Sequence, residues 1–238
     1  MHSAKSSRNL GHERLELRTF AGGAGSRKRQ RDRDFLCDAA GRWSQNNNAR
    51  GKEVLYAAQS FAEMPNNRRV QIGWGRIAEG GMPFSQMMLF PTEFNLRTTK
   101  DGLRLLATPI EEIDQLHKRR HVWTSIDITE VDQKISNIHT ELLHVKAQID
   151  LKENSNLMIR YRQQPLVTLQ SVDFENGRVS VEVLIDRCVV EIFVDGGRRY
   201  IIREIETATS RPGLEFTSAE KGSVLNRLEV YEMKSIWD

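Results

Sequence analysis

The amino-acid sequence predicts an all-β protein built on an antiparallel β-sandwich. Three observations carry that prediction. From residue 53 onward, short runs rich in Val, Ile, Leu and aromatics follow one another, separated by Pro, Gly and Asn signals such as MPNN and EGGMP. In the second half about nine such runs recur with turns roughly every 8 to 12 residues, the rhythm of two packed sheets. Only EEIDQLHKRRHV has helical spacing, through Ile113, Leu116 and His117, and it is short enough to be a connector.

Taken in order, residues 1–50 show no sustained apolar period and contain AGGAGS, RKRQRDRDF and SQNNNAR, so they are read as loop or disorder that cannot offset its ordering entropy. The next strands are EVLYAAQSF, RRVQIGW, QMMLFPTEFNLRTT and GLRLLATP. After the connector come HVWTSIDIT, TELLHVKAQID, SNLMIRYR, PLVTLQSVDF, RVSVEVLID, VVEIFVD, RRYIIREIE, PGLEFTS and LNRLEVYEMKSI. Asn176-Gly177 reads as a type I′ hairpin between two of them, because that turn needs positive φ at both central residues. Apolar residues stand at odd numbers in Val179, Val181, Val183 and Ile185, then at even numbers in Val190, Ile192 and Val194. A one-residue slip flips every side chain, so the chain must turn or bulge near Asp186-Arg187. Asp195-Gly196-Gly197 closes the next hairpin.

Composition narrows the function classes. The chain has 238 residues, 39% apolar and 28% charged, which is the balance of an ordinary folded protein. It contains no run of 18 apolar residues and no apolar segment in its basic first 30, so neither a transmembrane helix nor a secretory signal is read from it, no membrane partner is expected, and the compartment is not specified. Cys37 and Cys188 are far apart and are read as free thiols. The net charge of +3 is uneven: residues 1–50 hold 11 Lys and Arg against 5 Asp and Glu, and the remainder is net acidic. Such a basic run could contact phosphates, but without interleaved aromatics or a fold to present it the reading is a solvated tail and no nucleic-acid partner.

The residues alone yield no self-sufficient catalytic centre. A glycosidase needs two carboxyl groups about 5 to 9.5 Å apart, whereas Glu191 and Asp195, on one face of a regular strand, would stand roughly 13 Å apart. Glu111 and Glu112 fit the start of a short helix, where the dipole favours acids. His117 and His121 have i, i+4 spacing, but Lys118-Arg119-Arg120 between them disfavours a metal, and no cofactor or metal is expected. No G-x-S-x-G, P-loop, dinucleotide fingerprint or C-x-x-C pair occurs.

LYAAQSF, RRVQIGWGRI, MPFSQMMLFPTEFNLR and GLRLLATPIEEI together resemble the fifth propeller blade and domain junction of glycoside hydrolase family 32, the levanases, inulinases and β-fructofuranosidases. VEVLIDRCVVEIFVDGG resembles the family's sandwich signature, and LNRLEVYEMKSIW its terminal strand. The resemblance implies the last blade of a five-bladed propeller over residues 53–108 and a C-terminal two-sheet sandwich over 109–238, with 1–52 a basic or unrelated leader. It also implies that Trp74 walls a fructosyl pocket, with Tyr56 and Gln59 beside it, although a core tryptophan ending a strand remains an open reading. The family's WMNDPNG, RDP and EC motifs, which carry nucleophile, stabilising acid and acid/base, do not occur in this sequence. RDRD at 31–34 lacks the proline, Glu13 and Glu16 lack a neighbouring Cys, and Ala49-Arg50-Gly51 replaces a DYG-like context.

These departures lead to the expectation of a truncated fructan or sucrose hydrolase, catalytically inactive alone. Its partners would be a fructan or sucrose-like carbohydrate and a separate propeller-bearing chain. An orphan blade would leave apolar surface and strand edges open to self-association, whereas the sandwich would fold alone. The alternative is a non-catalytic carbohydrate-binding or protein-interaction module, for which exposed aromatics on a sandwich face, with Phe193 the obvious strand aromatic, would be the mark.

Overall fold

The computed structural model describes residues 54–77, 84–99, 102–206, 213–218 and 220–236, which fall in one compact unit. The basic N-terminal tract, Cys37 and Ala49-Arg50-Gly51 lie outside the described residues, as do Glu13 and Glu16. Among the described residues no helix is long and apolar enough to cross a membrane.

The structure is all-β and its pairing is antiparallel. The first sheet contains β1 (Leu55–Ser60), β2 (Val70–Gly75), β3 (Met87–Met88), β4 (Thr92–Thr99) and β5 (Gly102–Pro109), in the order β1-β2-β4-β5 with β3 also on β2. A single 3-10 stretch, Glu111–Leu116, leads into β6 (His117–Asp127). The HKRRHV segment is thus strand rather than helix, and the register shift between His117 and Arg119 turns His117 to the side of Tyr231 and His121 to the side of Glu232, so the two do not share a helical face. The expected helical connector shrinks to its first half. A five-residue helix, α1 (Val131–Ile135), was not signalled, because one turn is too short to show a period.

The sandwich follows in β7 (Leu142–Asp150), β8 (Asn156–Tyr161), β9 (Gln164–Gln170), β10 (Arg178–Asp186), β11 (Val189–Val194), β12 (Arg199–Glu204), β13 (Leu214–Ser218) and β14 (Val224–Met233). A six-stranded sheet ordered β12-β11-β10-β7-β14-β6 faces a three-stranded sheet ordered β13-β8-β9. Every strand read from the second half is present. Val181, Val183, Val190, Ile192, Leu228 and Val230 from the large sheet meet Leu157, Ile159, Leu169 and Phe216 from the small one. Burying side chains of this size is worth about 1.5 to 3 kcal/mol each, and such a layer supplies most of the fold's stability.

Two turn readings resolve differently. The parity change near Asp186 is a hairpin: Asp186 pairs with Val189 and Arg187 has φ 53°. Asn176-Gly177 does have positive φ at both residues, yet β9 and β10 lie in different sheets, so the turn is a corner between layers and not a hairpin. Gly177 is required there, since a Cβ would stand 2.4 Å from the Leu151 carbonyl oxygen while Leu151 N–H donates to the Gly177 carbonyl at 2.9 Å.

The large sheet is covered on both faces. Opposite the sandwich core, Leu184, Cys188, Val189, Phe193, Tyr200, Ile202 and Met233 pack with Val54, Ile77, Leu89, Ala107 and Ile113 from the first sheet and the connector. Backbone joins the two regions as well. Ala107 N–H donates to the Gly197 carbonyl at 3.0 Å, and a Cβ on Gly197, at φ 90°, would fall 2.1 Å from Ala107 O. The sandwich therefore buries one face of its large sheet by itself and the other only with residues 54–113.

Candidate functional site

Trp74 lies in β2 directly across from Tyr56 of β1, and their rings meet edge to face at 5.8 Å and 60°. Arg76 lies over the Tyr56 ring at 4.6 Å. Trp74 is 39% exposed and Tyr56 is 50% exposed, so neither ring is enclosed by the core. The opposite side of β2 leaves room for little: a Cβ at Gly73 would fall 2.1 Å from Leu55 Cδ1.

Gln59 belongs to the same face only because β1 is irregular. In a regular strand, Gln59 would point opposite to Tyr56, three residues away. Here the register runs Tyr56↔Trp74 and then Gln59↔Ile72, three steps on β1 against two on β2, with Ala57 at φ 44°. That bulge returns Gln59 to the side of Trp74. Met88 pairs with Trp74 from β3 and completes a row of Tyr56, Gln59, Ile72, Trp74 and Met88, which contains no carboxylate.

Next to this row, Ile72 and Met88 also line a cavity of about 420 Å³ where the first sheet meets the sandwich. Two acids reach it, Glu112 and Asp186, with Arg187 and Lys234. Glu112 is held by Arg68, whose Nη1 donates at 2.6 Å while its Nε donates to Glu93 at 2.7 Å. That bond keeps the Glu112 carboxyl down at about 2, so Glu112 is an ion-pair partner and not a proton donor. Asp186 is shifted upward, by burial first and with opposition from Arg187.

A third carboxyl is buried nearby. Glu191 is fully buried in β11, on the side facing the first sheet; its Oε1 accepts from Phe90 N–H at 2.8 Å and its Oε2 accepts from the Tyr200 hydroxyl. Loss of solvent pushes Glu191 up to about 7, with the two hydrogen bonds opposing that shift and nearby Asp186 adding to it. Asp195, offered with Glu191 as a pair by the strand spacing, instead lies in the turn at φ 54° and binds Arg198 at 3.0 Å. Phe193 is buried and stacks on Tyr200 at 4.6 Å, so it offers no platform to solvent. Cys188 is buried and forms no disulfide. The signal for Glu191 was present in VVEIFV: an unbroken apolar run belongs to a strand covered on both faces, where an acid must be paired.

Residues 160–232 match the profile described as "Glycosyl hydrolases family 32 C terminal". The chain carries a family 32 C-terminal domain. It is 27% identical to a levanase of Bacillus sp. (strain L7) over an alignment covering 79% of this chain and 25% of that protein. With the levanase of Bacillus subtilis (strain 168) it shares 20% identity over 77% of this chain and 33% of the relative. The chain thus spans a quarter to a third of the length of these curated relatives. Among solved structures, exo-inulinase from Aspergillus awamori superposes with a TM-score of 0.60 at 16% identity, covering 77% of this chain and 44% of the inulinase, a likeness of fold. The family 32 sandwich and the antiparallel sheets expected from the sequence are thereby established.

Proposed function

We infer that this family 32 chain is the C-terminal part of a β-fructofuranoside hydrolase, and that residues 54–109 form the last propeller blade, contributing one wall of a fructosyl pocket. The observation that carries this reading is the bulge at Ala57, which gathers Tyr56, Gln59 and Trp74 on one exposed face. Two aromatic edges and an amide are the groups that bind a sugar ring: the rings cover its C–H faces and the amide pairs with hydroxyls. The reading is supported by the inulinase superposition, which covers more of the chain than residues 117–236 alone.

The row beside Trp74 has no acid, and glycoside hydrolysis needs two. The chain alone is therefore inactive, and the acids come from the remaining blades, carried by adjoining polypeptide or by a separate chain. The outer blade strands fit such a neighbour. Leu96 and Leu103 are 63% and 56% exposed and share a face of the β4–β5 hairpin, and β5 is the outermost strand of its sheet. Without that neighbour this face drives self-association.

The test has two measurements. Purified chain should release no fructose from sucrose, inulin or levan, and levan in a native gel should retard it unless Trp74→Ala is introduced. Fructose release by the chain would end the inactive reading, and equal retardation of the Trp74→Ala variant would remove the pocket wall. The alternative, a sugar-binding sandwich, lacks its mark, because no aromatic on the sandwich strands is among the exposed large side chains of the described residues.

A further inference from the structure

On the far side of the connector, three potential ligand atoms converge from separate elements. Asp114 belongs to the 3-10 stretch, His117 opens β6 and His144 lies in β7. His117 Nε2 is 2.9 Å from His144 Nδ1, and Asp114 Oδ1 is 3.5 Å from the first and 3.8 Å from the second. A tetrahedral zinc-type ion with bonds of about 2.0 to 2.2 Å sets its ligand atoms roughly 3.3 to 3.5 Å apart, within the range spanned by these spacings.

The surroundings are also those of a ligand set. His144 is buried, and its Nε2 donates to Glu182 Oε1 at 2.6 Å. That bond fixes the tautomer and leaves the Nδ1 lone pair aimed at His117 and Asp114, the carboxylate–histidine arrangement that supports a metal from behind. The His117 ring is held in place by stacking on Tyr231 at 3.8 Å and 12°. Lys146 Nζ is 3.2 Å from Asp114 Oδ1 and 3.8 Å from Glu182 Oε1, so the pair of acids already holds one cation. Asp114 is 54% exposed, which lets it turn from the ammonium and leaves a fourth position for water.

We propose that Asp114, His117 and His144 form a binding site for a divalent transition-metal ion of the zinc type, clamping the connector between blade and sandwich to the large sheet. The site is long-range in sequence: β6 carries His121 away from His117, and the second imidazole comes from His144 of β7. Imidazole and carboxylate ligands favour zinc or cobalt over calcium or magnesium, which take oxygen.

The test is titration of the purified chain with Zn²⁺ against a chromogenic chelator and with Co²⁺ by visible absorption. One equivalent should bind, and Co²⁺ should develop the strong visible bands of a four-coordinate site. Asp114→Asn and His117→Ala should each weaken binding at least about tenfold, and Glu182→Gln about 10- to 100-fold. Lys146→Gln should tighten it by removing the competing ammonium. His121→Ala and His139→Ala should leave it unchanged. Asp114 and Lys146 are exposed enough for their variants to fold, and circular dichroism checks this, so the buried His144 side chain need not be removed. Absence of saturable uptake, or uptake indifferent to Asp114→Asn and Lys146→Gln, overturns the proposal.

Discussion

The two faces of β11 differ in kind although both are buried. Val190, Ile192 and Val194 point into hydrocarbon contributed by the small sheet. Val189, Glu191 and Phe193 point toward the first sheet, where a carboxyl, a phenol and a backbone N–H from Phe90 are mixed with the apolar contacts. The first face can be satisfied by any well-packed hydrocarbon. The second is satisfied only when Phe90 is in one place, because a displaced first sheet would leave Glu191 short of a donor. The inner face should thus govern how stable the sandwich is, and the outer face how the first sheet docks.

The largest blow to this contrast comes from the inner face. Ile192→Ala should cost about 2 to 5 kcal/mol in urea unfolding, since the fully buried site loses its methyl groups and retains a cavity. A cost under about 1 kcal/mol would show that the face is not tightly packed. The outer face should respond to pH instead. Glu191 titrates at about 7 in the folded chain against about 4.5 when free, so the folded state holds a proton that the unfolded state releases. Its contribution is complete below about pH 4.5 and lost as pH rises through 7, a decline on the order of 3 kcal/mol. Subtracting the profile of Glu191→Gln isolates that decline; parallel profiles would mean that Glu191 is not buried as described.

The same contrast explains what was legible in the sequence. The positions of the strands in the second half followed from period-2 alternation, and the turn at Asp186 from a change of parity, because both are local. The destination of Asn176-Gly177 was not local: the dipeptide sets its own φ values but not which sheet follows. Nor was the double covering of the large sheet, although VVEIFV announced it by lacking a polar side. On the first sheet, Trp74 and Tyr56 are cross-strand neighbours that a family resemblance could suggest, whereas the position of Gln59 depends on a bulge that alternation does not forecast. The meeting of His117 with His144 depends on the pairing of both β6 and β7 with β14, which no spacing contains.

Smaller changes sharpen the junction. Gly197→Ala should cost about 1 to 3 kcal/mol, because its Cβ meets the Ala107 carbonyl and its φ is 90°. Gly196→Ala, with open space around it, should cost about 1 kcal/mol for φ alone. Equal costs in thermal unfolding would show that the Ala107 contact does not constrain the hairpin. Comparably small, Trp74→Ala should lose about 0.5 to 1.5 kcal/mol, the value of an aromatic edge contact at an exposed pair. A loss matching Ile192→Ala would place Trp74 in the core after all.

The extra residue in β1 has an evolutionary corollary. Excising Ala57 would set Gln59 two positions from Tyr56, so ordinary alternation would keep both on the rim and the ladder to β2 would stand. The kink absorbs one surplus residue where it occurs. Segment length here could therefore drift by a codon without re-aiming the amide or remodelling the scaffold underneath.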